Sequence, residues 1–516
     1  MESLAKLYDI VLNRRLTQWF RPEREQAGAQ KKRGCIEHIL TLRMLIDIAK
    51  HRRRQLYIVY VDFSKAYDRV PRGLMLERLA ALGCGNRMIR AIATVYQTTK
   101  MILRTAIVTA SIGVRQGSPT SCLLFTLVVN DLIRSMKEKC PPDGWLEWLH
   151  LLMLMDDTVL LATTRERAEQ KIRILTEFCH VSGMAINQDK TKFMVINGKP
   201  VDKEAITTRD DNDYEITIEN CNMYTYLGCI FTQDGNLRSA VKAQCTSKIP
   251  HVAKFEAFIS KHRDAPYLVK EQVFEAALST AILYSCESWL SAAAAECALN
   301  MYTQCIRCML SVRKTTAGVL CLIEAGLPSV VSKVKSIQKA TIRRLLDDRE
   351  GMADDPFWFV FTKCQSENTP CARYIQALET FDREEEDAEL KRRTRQTTRT
   401  KFQTYCEMIN PSLTKHPMYC SHDLLEQNRI ATSRLRLSSH NLAIERGRWL
   451  RKPREERLCP TCHVVQDERH ALQDCTLNAE ARRASNYPDL TLPNFFTAEA
   501  PDAMTKTCYA LINDFI

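Results

Sequence analysis

Two groups of residues carry metal-ligand chemistry. The first is a bare acidic pair, Asp156-Asp157, set between two apolar runs in residues 151–162 (LLMLMDDTVLLA). Each run has the length of a buried strand, which puts the pair at a hairpin turn. A second apolar run, residues 56–61 (LYIVYV), ends on Asp62. Carboxylates at the ends of buried strands suit two Mg²⁺ ions, which take a few carboxylates and complete their shells with phosphate oxygens. Such a pair favours in-line displacement at phosphorus, the chemistry of nucleotide polymerisation. Asp as an ordinary turn former is the competing reading of the hairpin. The second group is Cys459-x₂-Cys462-x₇-His470-x₄-Cys475. Three thiolates and an imidazole complete a tetrahedral Zn²⁺ with protein ligands alone, which predicts one structural ion. Arg446, Arg448, Trp449, Arg451, Lys452, Arg454 and Arg457 lead into it, and zinc knuckles with basic and aromatic surroundings bind single-stranded nucleic acid. Cys305-x₂-Cys308 lies on a helical pattern with no second ligand pair, so those cysteines read as small core residues.

The elements around these groups follow from periodicity. Residues 4–20 and 36–48 read as amphipathic helices joined by a basic loop, Lys31-Lys32-Arg33. That loop suits a template or a triphosphate, or is a solvated basic turn. Tyr67 lies five residues past Asp62, where its ring either packs beneath an incoming nucleotide and excludes a sugar 2′-hydroxyl or is simply a packed aromatic at a helix start. Residues 73–96 read as helix broken near Gly83–Gly85, and 101–112 as a strand. The turn GVRQGSPTS from Gly113 precedes an apolar helix over 122–136, with Pro119 expected in its first turn. Its glycines allow close backbone approach to a base or sugar. A helix over 166–179 stops at Gly183. Short strands are expected at 184–187 and 193–196, with Lys190 between them either a proton donor to a leaving pyrophosphate or an ordinary turn charge. Residues 237–346 turn helical, with strong runs at 265–289 and 299–312.

Five segments, in order, resemble the reverse transcriptases of non-LTR (LINE-type) retrotransposons: DFSKAYDRVPR from Asp62, GVRQGSPTSCLLF from Gly113, LMDD ending at Asp157, GMAINQDKTK from Gly183 and YTYLGCIF from Tyr224. SRLRLSSHNLAIERGRWLRKPREERLCPTC from Ser433 resembles the approach to that family's zinc knuckle. The resemblance implies an α+β right-hand polymerase: fingers and palm with an antiparallel palm sheet, a helical thumb, then a helical region and a small zinc-knuckle segment. It implies Asp62, Asp156 and Asp157 as the Mg²⁺ triad, Tyr67 as sugar gate, and Arg115, Gln116 and Gly117 beside the template–nucleotide pair. Lys190 becomes the general acid, and Tyr226, Leu227 and Gly228 hold the primer end. Lys31 and Arg33 match the fingers loop, whereas Ala29-Gln30 and Lys32 depart from its aromatic-Arg pair and Gly. The implied function is an RNA-directed DNA polymerase acting on an RNA template, primer DNA and dNTPs. The competing function is a catalytically inactive or repurposed zinc-knuckle protein that binds RNA or single-stranded DNA.

Composition agrees with a nucleic-acid partner. Across 516 residues Lys+Arg number 73 against 61 Asp+Glu, and the excess is clustered. Residues 1–54 hold 13 basic against 6 acidic side chains, and 429–457 hold 9 against 3. Clustered cations fit a phosphate backbone. The length predicts several domains, expected as 1–235 (fingers and palm), 236–346 (thumb and post-thumb), 347–428 (charged linker or helical region) and 429–516 (basic segment, knuckle and tail). Within the third, acidic residues 382–389 precede Lys391-Arg392-Arg393-Thr394-Arg395. This reads as a linker, a nucleic-acid patch, a nuclear import signal or a charged helix. The 21 cysteines are scattered and the chain opens without a signal peptide. That predicts reduced thiols in the nucleus or in a cytoplasmic ribonucleoprotein, with no membrane span. Neither an endonuclease nor an RNase H pattern is found, which reads as a 3′ portion of a longer element or as a polymerase using a nick made by an endonuclease in trans.

Overall fold

A strand that is apolar at every position must be covered on both faces, and residues 56–61 are buried without exception. The computed structural model describes residues 3–97, 99–102, 107–115, 117–210, 213–485, 491–497 and 501–512. It divides into two compact units. The first comprises Met1–Ala240, Glu287–Ser291 and Gln338–Glu379; the second comprises Val241–Cys286, Ala292–Ile337 and Thr380–Ile516. This division differs from the expected boundaries at 235, 346 and 428.

In chain order the first unit holds helices α1 (Ser3–Trp19) and α2 (Cys35–His51), strand β1 (Leu56–Val61), and helices α3 (Arg72–Ala81) and α4 (Asn86–Gln97). Strands β2 (Thr99–Ile102) and β3 (Ile107–Ala110) and helix α5 (Ser121–Lys139) follow. Then come β4 (Leu151–Leu154), β5 (Asp157–Ala162), α6 (Arg165–Ser182), β6 (Lys192–Ile196), β7 (Ile206–Arg209), β8 (Glu215–Asn220), β9 (Met223–Tyr226) and β10 (Cys229–Thr232). Six strands form one sheet in the order β4-β5-β1-β6-β8-β7. It is antiparallel, as expected, across β4-β5-β1-β6 and between β7 and β8, and parallel only between β6 and β8.

Alternation along β1 separates two cores. Tyr57, Val59 and Val61 join Leu124 and Val128 of α5 and Ile172 and Leu175 of α6. Leu56, Ile58 and Tyr60 join Leu42, Leu45 and Ala49 of α2 on the other face. That second core is completed by Phe357, Val360, Cys364, Ile375 and Leu378, from helices Pro356–Ser366 and Pro370–Glu379. The first of these starts where Asp355 accepts hydrogen bonds from the Phe357 and Trp358 N–H groups at 3.0 and 3.2 Å. The stretch expected as a charged linker or helical region thus begins with helices that belong to the core of the first unit. Its apolar helical faces outweigh its overall polarity.

Smaller differences have local causes. The single strand expected over 101–112 is the hairpin β2–β3. Residues 184–187 form only one bridge, Phe63 to Ile186, because β1 already pairs with β5 and β6. Pro119 precedes α5, which begins at Ser121. Helix α6 runs to Ser182 and ends on Gly183 at φ 68°, a left-handed stop that favours glycine.

The second unit is helical. The run expected over 265–289 is interrupted: Tyr267–Val273 passes into a widened π turn, Phe274–Ser279, and then Thr280–Ile282. Helix Glu426–Arg436 packs along Pro501–Ile512. Buried Glu324 accepts the Arg436 Nε–H at 2.6 Å and the hydroxyls of Tyr405 and Tyr419 at 2.6 and 3.1 Å. Burial pushes the Glu324 carboxyl up, but Arg436 and Tyr405 outweigh it and hold it below the usual range. Removing one member of such a buried pair costs about 3–5 kcal/mol. The charge run after residue 381 is helix Arg383–Arg395, with acids in its first turn and bases in its last. This order complements the helix dipole. No disulfide joins any of the 21 cysteines, and no described helix is long and apolar enough to cross a membrane.

Candidate active site and metal centre

The acidic residues converge because of strand register. Pairing of β1 with β5 sets Val61 opposite Thr158, so the next step brings Asp62 level with Asp157. Strand β4 ends at Leu154, Met155 turns the chain at φ 58°, and Asp157 opens β5 opposite Leu154. Asp62 is tied down by its own backbone. Its N–H donates to Thr191 Oγ1 at 3.1 Å and its carbonyl accepts the Asn187 N–H at 2.8 Å. Burial raises the Asp157 carboxyl to about 6, with Asp156 and Asp62 repelling its charge. Burial also raises Asp156, and Asp62 adds to it. Mutual repulsion without a compensating cation is what a divalent-ion site looks like before its ion binds. The donor set therefore fits hard cations.

The two motif loops are knitted together. Gly113 N–H donates to Val70 O at 2.8 Å and Val114 N–H to Tyr67 O at 2.9 Å. Arg72 donates to the carbonyls of Gly113, Tyr96 and Ala110 at 3.0, 2.7 and 2.7 Å. Gly113 has φ 81°, and a Cβ there would stand 2.8 Å from Asp68 O, so both conformation and space demand glycine. Tyr67 stacks on Phe125 at 4.4 Å and 10°. Its phenol is raised by burial, then by Cys122 and Asp156, which sets the ring beside the acidic hairpin. Arg115 donates to Val95 O at 3.3 Å. Gly117 has φ 79°. Gln116 lies outside the described residues. Lys190 is exposed on the turn whose next residue, Thr191, holds Asp62.

Tyr226, Leu227 and Gly228 form the turn joining β9 to β10. Leu227 and Gly228 have φ 49° and 73°, the two left-handed central residues of a tight hairpin. Tyr226 is only 3 % exposed and faces the core. Its neighbour Tyr224 stacks on Tyr60 at 4.2 Å and 8°. The Tyr224 phenol is raised to about 12 by burial and by the charges of Asp62 and Asp157. Tyr224 thus stands beside the carboxylates, on the same face of β9 as Tyr226, which also contacts Tyr60.

The fingers loop departs most from its expected role. Lys31 is exposed and lines a cavity of about 880 Å³ together with Arg14, Arg21 and Arg24. Arg33 is not open to a triphosphate, since its side chain is 6 % exposed. It pairs with Glu37 at 3.2 Å and with Asp355, and donates to Arg24 O at 2.9 Å. Arg349 donates to Glu37 at 2.8 Å and to Lys32 O at 2.8 Å. Sequence reading also passed over Asp9, a lone carboxylate on the buried side of α1. It accepts from Thr120 Oγ1 at 2.7 Å and from the Ser118 hydroxyl, and so anchors the Gly117 turn.

The ligand atoms of Cys459, Cys462, His470 and Cys475 all lie within 4.8 Å of one another. Cys459 and Cys475 sulfurs are 3.8 Å apart, close to the roughly 3.8 Å edge of a tetrahedron with Zn–S bonds near 2.3 Å. The buried Nε2 of His470 has no hydrogen-bond partner, as expected of an atom reserved for a metal. Cys462 accepts from Thr476 Oγ1 and N–H at 3.1 and 3.4 Å. These bonds lower its thiol, the direction that favours the ligating thiolate. His463 at φ 55° turns the chain between the ligands, with Cys459 N–H donating to Val464 O at 2.8 Å. The residues fit Zn²⁺.

Residues 1–231 match the family model described as reverse transcriptase (RNA-dependent DNA polymerase), so this part of the chain is a reverse transcriptase domain with the right-hand polymerase fold. Curated relatives include the Pol polyprotein of retrotransposable element R2DM from Drosophila melanogaster. It is 22 % identical over 262 residues, covering 49 % of this chain and 25 % of that protein. The R2 Pol polyprotein of Nasonia vitripennis is 27 % identical over 224 residues, covering 40 % and 21 %. The domain is similar to those of retrotransposon Pol polyproteins, the resemblance that the motif order implied. The chain matches about a quarter of the length of these relatives. Among solved structures, telomerase from Candida tropicalis aligns at 14 % identity with a TM-score of 0.32, over 70 % of this chain and 60 % of that one.

Proposed function

We propose that the chain extends a primer DNA along an RNA template with dNTPs, through two Mg²⁺ ions held by Asp62 and Asp156 with Asp157 in support. The observation that carries this is the meeting of two strand ends that gathers three mutually repelling carboxylates. Bound there, the ions would activate the primer 3′-hydroxyl and stabilise the departing pyrophosphate. The chain's own residues do the rest. Tyr67, braced on Phe125, limits room at the sugar. The Gly113–Gly117 turn, held by Asp9 and Arg72, lies beside the templating pair. Tyr224 and the Leu227-Gly228 turn support the primer end, Lys31 meets phosphate, and Lys190 supplies a proton to pyrophosphate. One Zn²⁺ on Cys459, Cys462, His470 and Cys475 holds the C-terminal knuckle, which with Trp449 and its neighbouring arginines binds single-stranded RNA or DNA.

The test is dNTP incorporation on a poly(rA)–oligo(dT) duplex with Mg²⁺, beside an Asp156→Ala, Asp157→Ala control. Incorporation that vanishes in the control supports the reading. A folded parent that binds RNA and incorporates nothing overturns it in favour of a zinc-knuckle binding protein.

A further inference from the structure

The catalytic hairpin is also held from outside its own sheet. Residues 25–27 run beside β4: Met153 N–H donates to Glu25 O and Ala27 N–H to Met153 O, both at 2.8 Å. Between them Gln26 is 0 % exposed, and its carboxamide reaches past the end of the strand. Oε1 accepts the Met155 N–H at 2.8 Å and the Gly28 N–H at 2.7 Å. Nε2 donates to Met155 O at 3.3 Å. One side chain thereby binds both main-chain groups of the left-handed residue that immediately precedes Asp156 and Asp157. The fit is tight from the far side as well. A Cβ on Gly28 would lie 2.6 Å from Met155 Sδ and 2.7 Å from Gln26 Oε1. Gln30 in turn donates to the carbonyls of Gln26 and Glu23.

We infer that Gln26 is a positioning residue for the metal-binding carboxylates, fixing the Met155 turn so that Asp156 and Asp157 present their oxygens together. The inference rests on the proposed polymerase reading and deepens it. A carboxamide of this reach offers an acceptor and a donor at once. Leucine or methionine supplies neither, and glutamate supplies only the acceptor. Partners that orient metal ligands typically change metal affinity by about 10–100-fold when lost.

The test is a Mn²⁺ titration of the full chain followed by electron paramagnetic resonance, without nucleotide, alongside steady-state incorporation as a function of Mg²⁺. Gln26→Met is expected to weaken Mn²⁺ binding about tenfold or more and to raise the half-saturating Mg²⁺ by a similar factor. The KM for primer–template should stay within about twofold, a split that general loss of folded protein does not produce. Gln26→Glu, which keeps length and acceptor, serves if the first variant fails to fold; its expected loss is about threefold or more. Wild-type Mn²⁺ affinity in a folded Gln26→Met or Gln26→Glu chain overturns the inference. Asp156→Asn separates the two levels. If that substitution leaves Mn²⁺ binding intact, the carboxylate site itself is wrong. If it abolishes binding while the Gln26 variants do not weaken it, only the clamp is wrong.

Discussion

Replacing Asp355 by asparagine should loosen a loop more than 300 residues earlier in the chain. Asp355 is fully buried, caps helix Pro356–Ser366 through Oδ1, and meets Arg33 and Arg349 through Oδ2. Glu37 is the other anion, so two buried guanidiniums face two buried carboxylates. Burial holds Glu37 above the usual carboxylate range even with Arg33 and Arg349 beside it. The cluster has little surplus, and removing one anion leaves a buried cation half compensated. A broken buried pair costs about 3–5 kcal/mol. With Glu37 still serving both arginines, the expected cost is about 2–3 kcal/mol, or roughly 30–150-fold in an opening equilibrium. Asparagine caps as well as aspartate, so Asp355→Ala should add about 1 kcal/mol more. Hydrogen exchange read by mass spectrometry reports this directly. Peptides covering residues 24–37 should exchange faster by that factor in Asp355→Asn, while peptides covering residues 157–162 of β5 stay protected. Unchanged exchange over 24–37 would refute the claim that this cluster holds the fingers loop.

Three further outcomes are expected. His38 is buried, neither ring nitrogen has a partner, and burial with Arg33 nearby lowers its imidazolium to about 3. The unfolded chain binds that proton below about 6.5 and the folded chain only below about 3. Stability therefore rises with pH between those values, by up to about 1.4 kcal/mol per pH unit. His38→Leu should flatten that slope in urea unfolding run at pH 5 and pH 7. Cys475→Ser should abolish the single equivalent of zinc measured by atomic absorption and raise hydrogen exchange over 459–475, because structural zinc contributes folding energy there. Tyr67→Val should lower the preference for dNTP over rNTP about tenfold or more in single-nucleotide incorporation. An unchanged ratio would remove Tyr67 from the sugar gate.

What the sequence disclosed was local. The triad is legible because each aspartate ends an apolar run, and strand ends are where a sheet delivers side chains to a cleft. The candidate zinc ligands are legible because a metal would fix their spacing. The stop of α6 is legible because Gly183 takes a backbone angle few other residues accept. What stayed hidden depends on partners distant in the chain. Arg33 reads as a phosphate ligand in a basic loop, and nothing near it announces Asp355, 322 positions on. Tyr60 reads only as one position of an apolar run, and nothing near it announces that Tyr224 and Tyr226 pack on its ring. The helices Pro356–Ser366 and Pro370–Glu379 show apolar faces, but periodicity does not say that their partner is the back of α2.

That return of residues 338–379 to the first unit sets a schedule for synthesis. A chain released by the ribosome up to residue 240 has made every residue proposed for catalysis, yet α2 still shows solvent the face that Phe357, Val360 and Ile375 will cover. The 139 residues from 240 to 379 take roughly 7–28 s at about 5–20 residues per second. During that interval the nascent chain carries an apolar surface and a fingers loop with only Glu37 of its two buried anions. The carboxylates proposed for catalysis are thus made early, and the cover for α2 arrives only after those further residues.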